Sequence, residues 1–196
     1  EGYLYSLLGQ TEAARDPLLA AAGELAILRA RSPEHARELA AWTGRMFPVF
    51  GVNESEEEAR YRQAACLRAD ISWRAHPDYR PEVCFDNATR ANLGGLKHSE
   101  RIWLGLALMH RYRNKREGTR FDDLFDLLAP EQQLQAEILG KAMRFGAMLW
   151  MEKDAQFGEM RWFPKKKRLE LRLHPSAKAL FSEVAEARLA SLATSL

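Results

Sequence analysis

The side chains in this sequence best suited to chemistry are cations. Arg111, Arg113, Lys115 and Arg116 crowd the end of an apolar segment, and Lys165, Lys166, Lys167 and Arg168 form an unbroken run. Spaced guanidinium and ammonium groups can hold a polyanion whose negative charges repeat along a backbone. Each cluster also has a plainer reading. The first could cap the negative end of a helix dipole, although one or two cations suffice for that. The second could be a solvated turn, or a guard against edge-to-edge strand pairing. With 29 Lys and Arg against 27 Asp and Glu the net charge is only +2, so affinity for a polyanion must come from how charge is distributed.

Acid–base and nucleophilic signals are sparse. His76 and Asp78 stand two apart in His76-Pro77-Asp78-Tyr79-Arg80, the spacing of a base and its orienter, but no nucleophile or phosphate-cradling glycine loop accompanies them. A packing loop in which Tyr79 and Arg80 fix the next helix fits better. His98 and His174 sit beside loops and carry no signal. Cys66 and Cys84 lack C-x-x-C spacing and read as reduced, buried thiols of a cytoplasmic protein. Trp42, Trp73, Trp103 and Trp150 fall in helical sequence as core or interface anchors rather than base-stacking platforms.

The elements that must position these groups are mostly helices. Asp16-Pro17 and Ser32-Pro33 each pair an N-cap with proline at the first helical position. The second of these opens a helix with Ala36, Leu39, Ala40, Thr43 and Phe47 on one stripe. Ser55, followed by Glu56, Glu57 and Glu58, opens a helix expected to run through Trp73 with Ala64, Leu67 and Ile71 on its apolar face. A further helix is expected near Glu82 to Asn92, stopped by Gly94-Gly95. The next, Ser99 to about Tyr112, is apolar all round, as befits the buried axis of a bundle. A short helix spans Phe121 to Leu128, and Pro130 opens a long one to about Trp150. The period then changes from helix to strand. Met160–Phe163 and Leu169–Leu173 alternate apolar and polar around Pro164-Lys165-Lys166-Lys167, which predicts an antiparallel hairpin. A last amphipathic helix follows His174-Pro175, with Leu180, Val184 and Leu192 among its apolar positions. The expected fold is mainly α: a helical bundle followed by a small β-hairpin plus helix appendage. No run of apolar residues is long enough to span a membrane. The first residue is not Met and the chain opens on apolar helical residues, as a fragment would.

Three stretches resemble the exopolyphosphatase / guanosine pentaphosphate phosphatase family. Glu1-Gly2-Tyr3-Leu4-Tyr5 is similar to the segment closing that family's second actin-like domain. Ala64-Ala65-Cys66-Leu67 through Asp70-Ile71, Trp73-Arg74 and His76-Pro77-x-Tyr79-Arg80 is similar to a signature of its third domain, and Arg101 to Tyr112 to the helix that follows. The resemblance implies residues 1–15 as the end of an actin-like domain, 16–150 as a helical domain similar to the HD phosphohydrolases, and 151–196 as a small α+β domain.

HD proteins bind metal through His and Asp, so the resemblance assigns ligand positions to test. His35 lies where the first HD histidine would stand, and Asp70 holds the aspartate position, but Ala69 replaces its histidine partner. His110-Arg111-Tyr112 stands where a later acid belongs. This set is degenerate, and no catalytic residue, metal or cofactor is expected in the chain itself. The family's phosphate loops and catalytic acid lie in actin-like domains absent from this sequence, where Mg is expected. The implied role is accessory: binding inorganic polyphosphate through the two basic clusters, docking on the chain's own N-terminal actin-like domains, and helping to form a homodimer. An autonomous HD-type metal-dependent phosphohydrolase and a nucleic-acid-binding module are the alternatives. The missing histidine at Ala69 speaks against the first, and near-neutral charge and the lack of interleaved exposed aromatics against the second.

Overall fold

The computed structural model describes residues 7, 9–115, 117–148 and 158–196. After a single helical turn at Gln10–Ala13, three capped helices follow. Helix α1 spans Pro17–Arg29, and the Asp16 carboxylate accepts the Leu19 N–H at 2.9 Å. Helix α2 spans Pro33–Val49 behind Ser32, burying Ala36, Leu39, Trp42, Thr43 and Phe47. Helix α3 spans Glu56–Arg68 and opens with a full capping box, in which the Ser55 N–H donates to Glu58 at 2.7 Å.

Helix α3 stops earlier than its sequence suggests. Ala69–Arg74 is a series of turns, and Trp73 sits there, half buried, with its indole N–H donated to the Arg29 carbonyl at 3.1 Å. Of the face expected for this helix, Ala64 is fully buried, whereas Leu67 and Ile71 are only half buried. Two arginines, Arg62 and Arg68, take up core positions instead.

Helices α4 (Arg80–Arg90) and α5 (His98–His110) form the centre. Every residue of α5 from Ile102 to His110 is buried, the signature of a central axis. The short α6 (Asp122–Phe125) seats Phe125 and the preceding Phe121 against Phe85, with the Phe85 and Phe121 rings stacked at 4.3 Å. Helix α7 (Pro130–Gly146) lies along α5. Their backbones meet at Gly140, where a Cβ would stand 2.3 Å from the His110 Cβ and 2.5 Å from the Ala107 carbonyl oxygen. Only glycine permits that approach.

The expected hairpin is present. Strands β1 (Gly158–Phe163) and β2 (Arg168–Leu173) pair antiparallel in the register Gly158 to Leu173 and Phe163 to Arg168. Pro164–Lys166 forms a 3-10 turn that Lys167 closes at φ 45°. His174-Pro175 begins a second 3-10 segment, Pro175–Leu180, and the last helix, α8 (Glu183–Ala193), starts only behind Ser182. Leu180 therefore falls outside the helix. Ala185 and Leu192 are buried, while Val184 is exposed.

The hairpin and α8 do not stand apart from the bundle. Met160 and Leu192 belong to the same hydrophobic cluster as Trp42, Leu106 and Leu139, with β1 against α2 and α8 against α7. Glu1–Tyr5, Arg116 and Trp150 lie outside the described residues. Among the described residues, no helix is long and apolar enough to cross a membrane.

Candidate functional site

The positions read from sequence as degenerate metal ligands do not gather into one ligand set: His35 lies within range of the Asp70 charge, whereas His110 Nδ1 is 3.3 Å from the Arg113 carbonyl. Asp70, in the turns after α3, accepts two parallel hydrogen bonds from Arg31: Nε to Oδ2 at 2.7 Å and Nη2 to Oδ1 at 2.8 Å. This is the fork geometry in which a guanidinium binds a carboxylate most firmly. Arg111, at the C-terminal end of α5, comes within 3.9 Å of the same carboxylate and is itself buried. Its Nε donates to the Ala69 carbonyl at 2.7 Å and its Nη1 to the Met143 carbonyl at 2.9 Å, tying α5 to the turns after α3 and to α7. Tyr112 adds its hydroxyl to the Ala69 carbonyl at 2.8 Å.

Charge follows from that packing. Burial alone would raise the Asp70 pKa, but the Arg31 hydrogen bonds and the Arg111 charge outweigh it and hold the carboxyl below its ordinary 3.8. For His35, burial and then the Arg111 charge push the imidazole below its ordinary 6.5, so it is neutral at pH 7. A divalent cation would need three or four N, O or S donors converging on one point. Among the described residues, no group of three His, Cys, Asp or Glu offers such a site. At Asp70 the positive charge a metal would supply is already present as two guanidinium groups. These residues do not fit a metal.

The two basic clusters differ in character. Arg111 has its donors committed inside the bundle. Arg113 donates to the Glu117 carbonyl at 2.7 Å, and Lys115 is exposed. Lys165, Lys166, Lys167 and Arg168 all lie exposed at the hairpin tip. Arg168 reaches Glu170 at 2.5 Å, whereas none of the three lysines has a carboxylate at ion-pair distance among the described residues. The His76–Asp78 pair is open to solvent with His76 Nδ1 3.6 Å from Asp78 Oδ2. Arg80 donates to the Trp73 and Ala75 carbonyls, both at 2.8 Å, and lies over the Tyr112 ring.

A family model described as exopolyphosphatase, C-terminal, matches residues 18–195. The chain belongs to this family. No match was found among curated proteins. As an exopolyphosphatase C-terminal domain, the chain carries the mainly α bundle and hairpin, with Asp70 clamped by Arg31 and approached by Arg111.

Sequence reading missed arginine struts elsewhere in the bundle. Arg62 grips Glu54 through Nε at 2.9 Å and also donates to the Ala40 carbonyl at 2.8 Å. Arg101 donates to the Ala91 and Leu93 carbonyls at 2.6 and 2.5 Å. Hydropathy patterning scores arginine as surface, so it gives no warning of these positions. Only Arg101 has a local signal, its acceptors being loose carbonyls just past the end of α4, whereas Arg62 stands in mid-helix.

Proposed function

We propose that this chain is the substrate-holding C-terminal module of a cytoplasmic exopolyphosphatase. It binds linear inorganic polyphosphate on its basic surface, docks against actin-like catalytic domains and contributes to a homodimer. The whole protein removes terminal phosphate from polyphosphate, or the 5′ phosphate from guanosine pentaphosphate, with Mg2+ held by the catalytic domains. The hairpin tip carries this reading. Lys165, Lys166 and Lys167 stand exposed in a row, with no carboxylate neutralising them among the described residues. Consecutive, uncompensated cations suit a polymer bearing about one charge per repeat. Lys115 and Arg113 add a second patch at the end of α5, with Arg116 next in sequence.

The reading of an independent HD hydrolase has no support here, because Arg31 and Arg111 stand against Asp70 where cation chemistry would be needed. The test uses protein in which the catalytic domains are joined to this chain, compared with the same protein lacking residues 18–195. Loss of activity on long polyphosphate, with short oligomers still hydrolysed, is the expected result. Equal processing of long polymers by both would sink the proposal.

A further inference from the structure

Arg68 ends α3 with only 1% of its surface exposed. Its Nη2 donates to the Asn87 carbonyl at 2.7 Å. Its Nε and Nη1 are closed off from bulk water and meet no acceptor among the described residues. Burial first, and then the positive charges of Arg101 and Arg29, lower its pKa to about 10, which still leaves it charged at neutral pH. No carboxylate stands among the charges that act on it most. A buried guanidinium with open donors and cationic neighbours is a costly arrangement that an incoming anion would relieve.

The same side chain is among those lining a groove of about 690 Å³ bordered by α1, α3 and α4. Arg29, Arg90 and Arg120 line its walls, and its acids are Glu24 and Asp86. Asp86 is already engaged, Oδ1 by Arg90 Nε at 3.0 Å and Oδ2 by Arg120. The lining therefore holds two more guanidinium groups than carboxylates, and its most buried guanidinium is the one with donors to spare.

We propose that this groove is an oxyanion site, in which a phosphate-type anion takes the open donors of Arg68 and is held from the rim by Arg29 and Arg90. A guanidinium presents paired N–H donors at the spacing of two phosphate oxygens, which favours this chemistry over a halide. With Arg68 1% exposed, the anion reaches its donors only when neighbouring groove side chains give way. The site goes beyond the hairpin reading and uses none of its residues. Its occupant is either free orthophosphate or the terminal phosphate of a longer chain.

The test follows the thermal midpoint of the purified chain against inorganic phosphate, with chloride at matched ionic strength as reference. A saturable rise with phosphate alone is expected. Arg68→Met should weaken it about tenfold or more, the loss expected when a charge-assisted hydrogen bond goes. Should that variant fail to fold, Arg29→Gln combined with Arg90→Gln decides, since both side chains are at the rim. A rise that survives the rim change, or no saturable rise at all, overturns the site and leaves Arg68 solvated by buried water. A rise with long-chain polyphosphate but not orthophosphate, lost in the rim variant, assigns the groove to polymer ends. Neutralising Lys165, Lys166 and Lys167 should leave the orthophosphate response intact, so failure of this site and failure of the hairpin reading are told apart.

Discussion

Replacing Arg111 with methionine isolates what the buried arginine contributes to the fold. The change removes two hydrogen bonds from a charged donor, to Ala69 at 2.7 Å and Met143 at 2.9 Å. Bonds of that kind contribute about 1.5–3 kcal/mol each. Two effects pull the other way. Burying the guanidinium costs several kcal/mol of hydration, which methionine does not lose. Neither carbonyl is orphaned, since Ala69 keeps the Tyr112 hydroxyl at 2.8 Å and Met143 keeps the Ala147 N–H at 3.1 Å. Asp70 also keeps its Arg31 fork. The net loss should be about 2–3 kcal/mol in urea unfolding with an unchanged m-value, or roughly 5–10 °C in thermal midpoint for a chain of this size. Arg111→Lys should be no better than methionine, because a point-like ammonium keeps the burial cost yet cannot span both carbonyls. Full stability in either variant would refute the role of Arg111 as the tie between α5, α7 and the turns after α3.

Other outcomes follow from the same geometry. Gly140→Ala should cost about 1–3 kcal/mol by overpacking, read by urea unfolding, because its Cβ would meet the α5 backbone. Lowered pH should destabilise the chain in two stages. The His35 pKa is depressed on folding, so its contribution is full above 6.5 and falls as pH drops through that value toward the folded one. Asp70, depressed below 3.8, keeps its contribution until pH falls further. A stability–pH profile of His35→Gln should lack the first stage and retain the second. Cys66 and Cys84 are buried, with burial pushing each thiol up to about 11, so thiol reagents at pH 8 should label neither until the chain unfolds.

The parts of this fold that were legible in sequence are those in which local chemistry and packing agree. Asp16-Pro17, Ser32-Pro33 and Ser55 with Glu58 announced helix starts that the caps bear out, and the all-apolar α5 announced the axis. The hairpin was legible because period-two alternation flanks a proline-led turn. The end of α3 was not. Asp70 through Trp73 continue a helical pattern, yet the chain turns there because Ala69 and Asp70 are held by arginines from α5 and from just beyond α1, contacts some 40 residues away that local patterning does not encode. Val184 was misread because Leu180, one of the positions that set the expected face, lies in the 3-10 segment outside α8, whose buried face runs through Ala185 and Leu192. At the site, the missing ligand at Ala69 was visible in sequence, but Arg31 as the partner of Asp70, and Arg68 as a buried cation, were not. Both are long-range placements of a residue type that is usually solvent-exposed.

Equilibrium binding of long-chain polyphosphate to this chain, at low and moderate salt, addresses the accessory role most directly. The comparison is with a variant in which Lys165, Lys166, Lys167 and Arg168 are alanine. Polymer binding that weakens with salt at a log–log slope near −3, as about four displaced counterions would give, and that is largely lost in the variant, is the predicted result. Binding that is absent, or unchanged by removing the hairpin charges, would contradict the account and return the hairpin tip to a solvated turn.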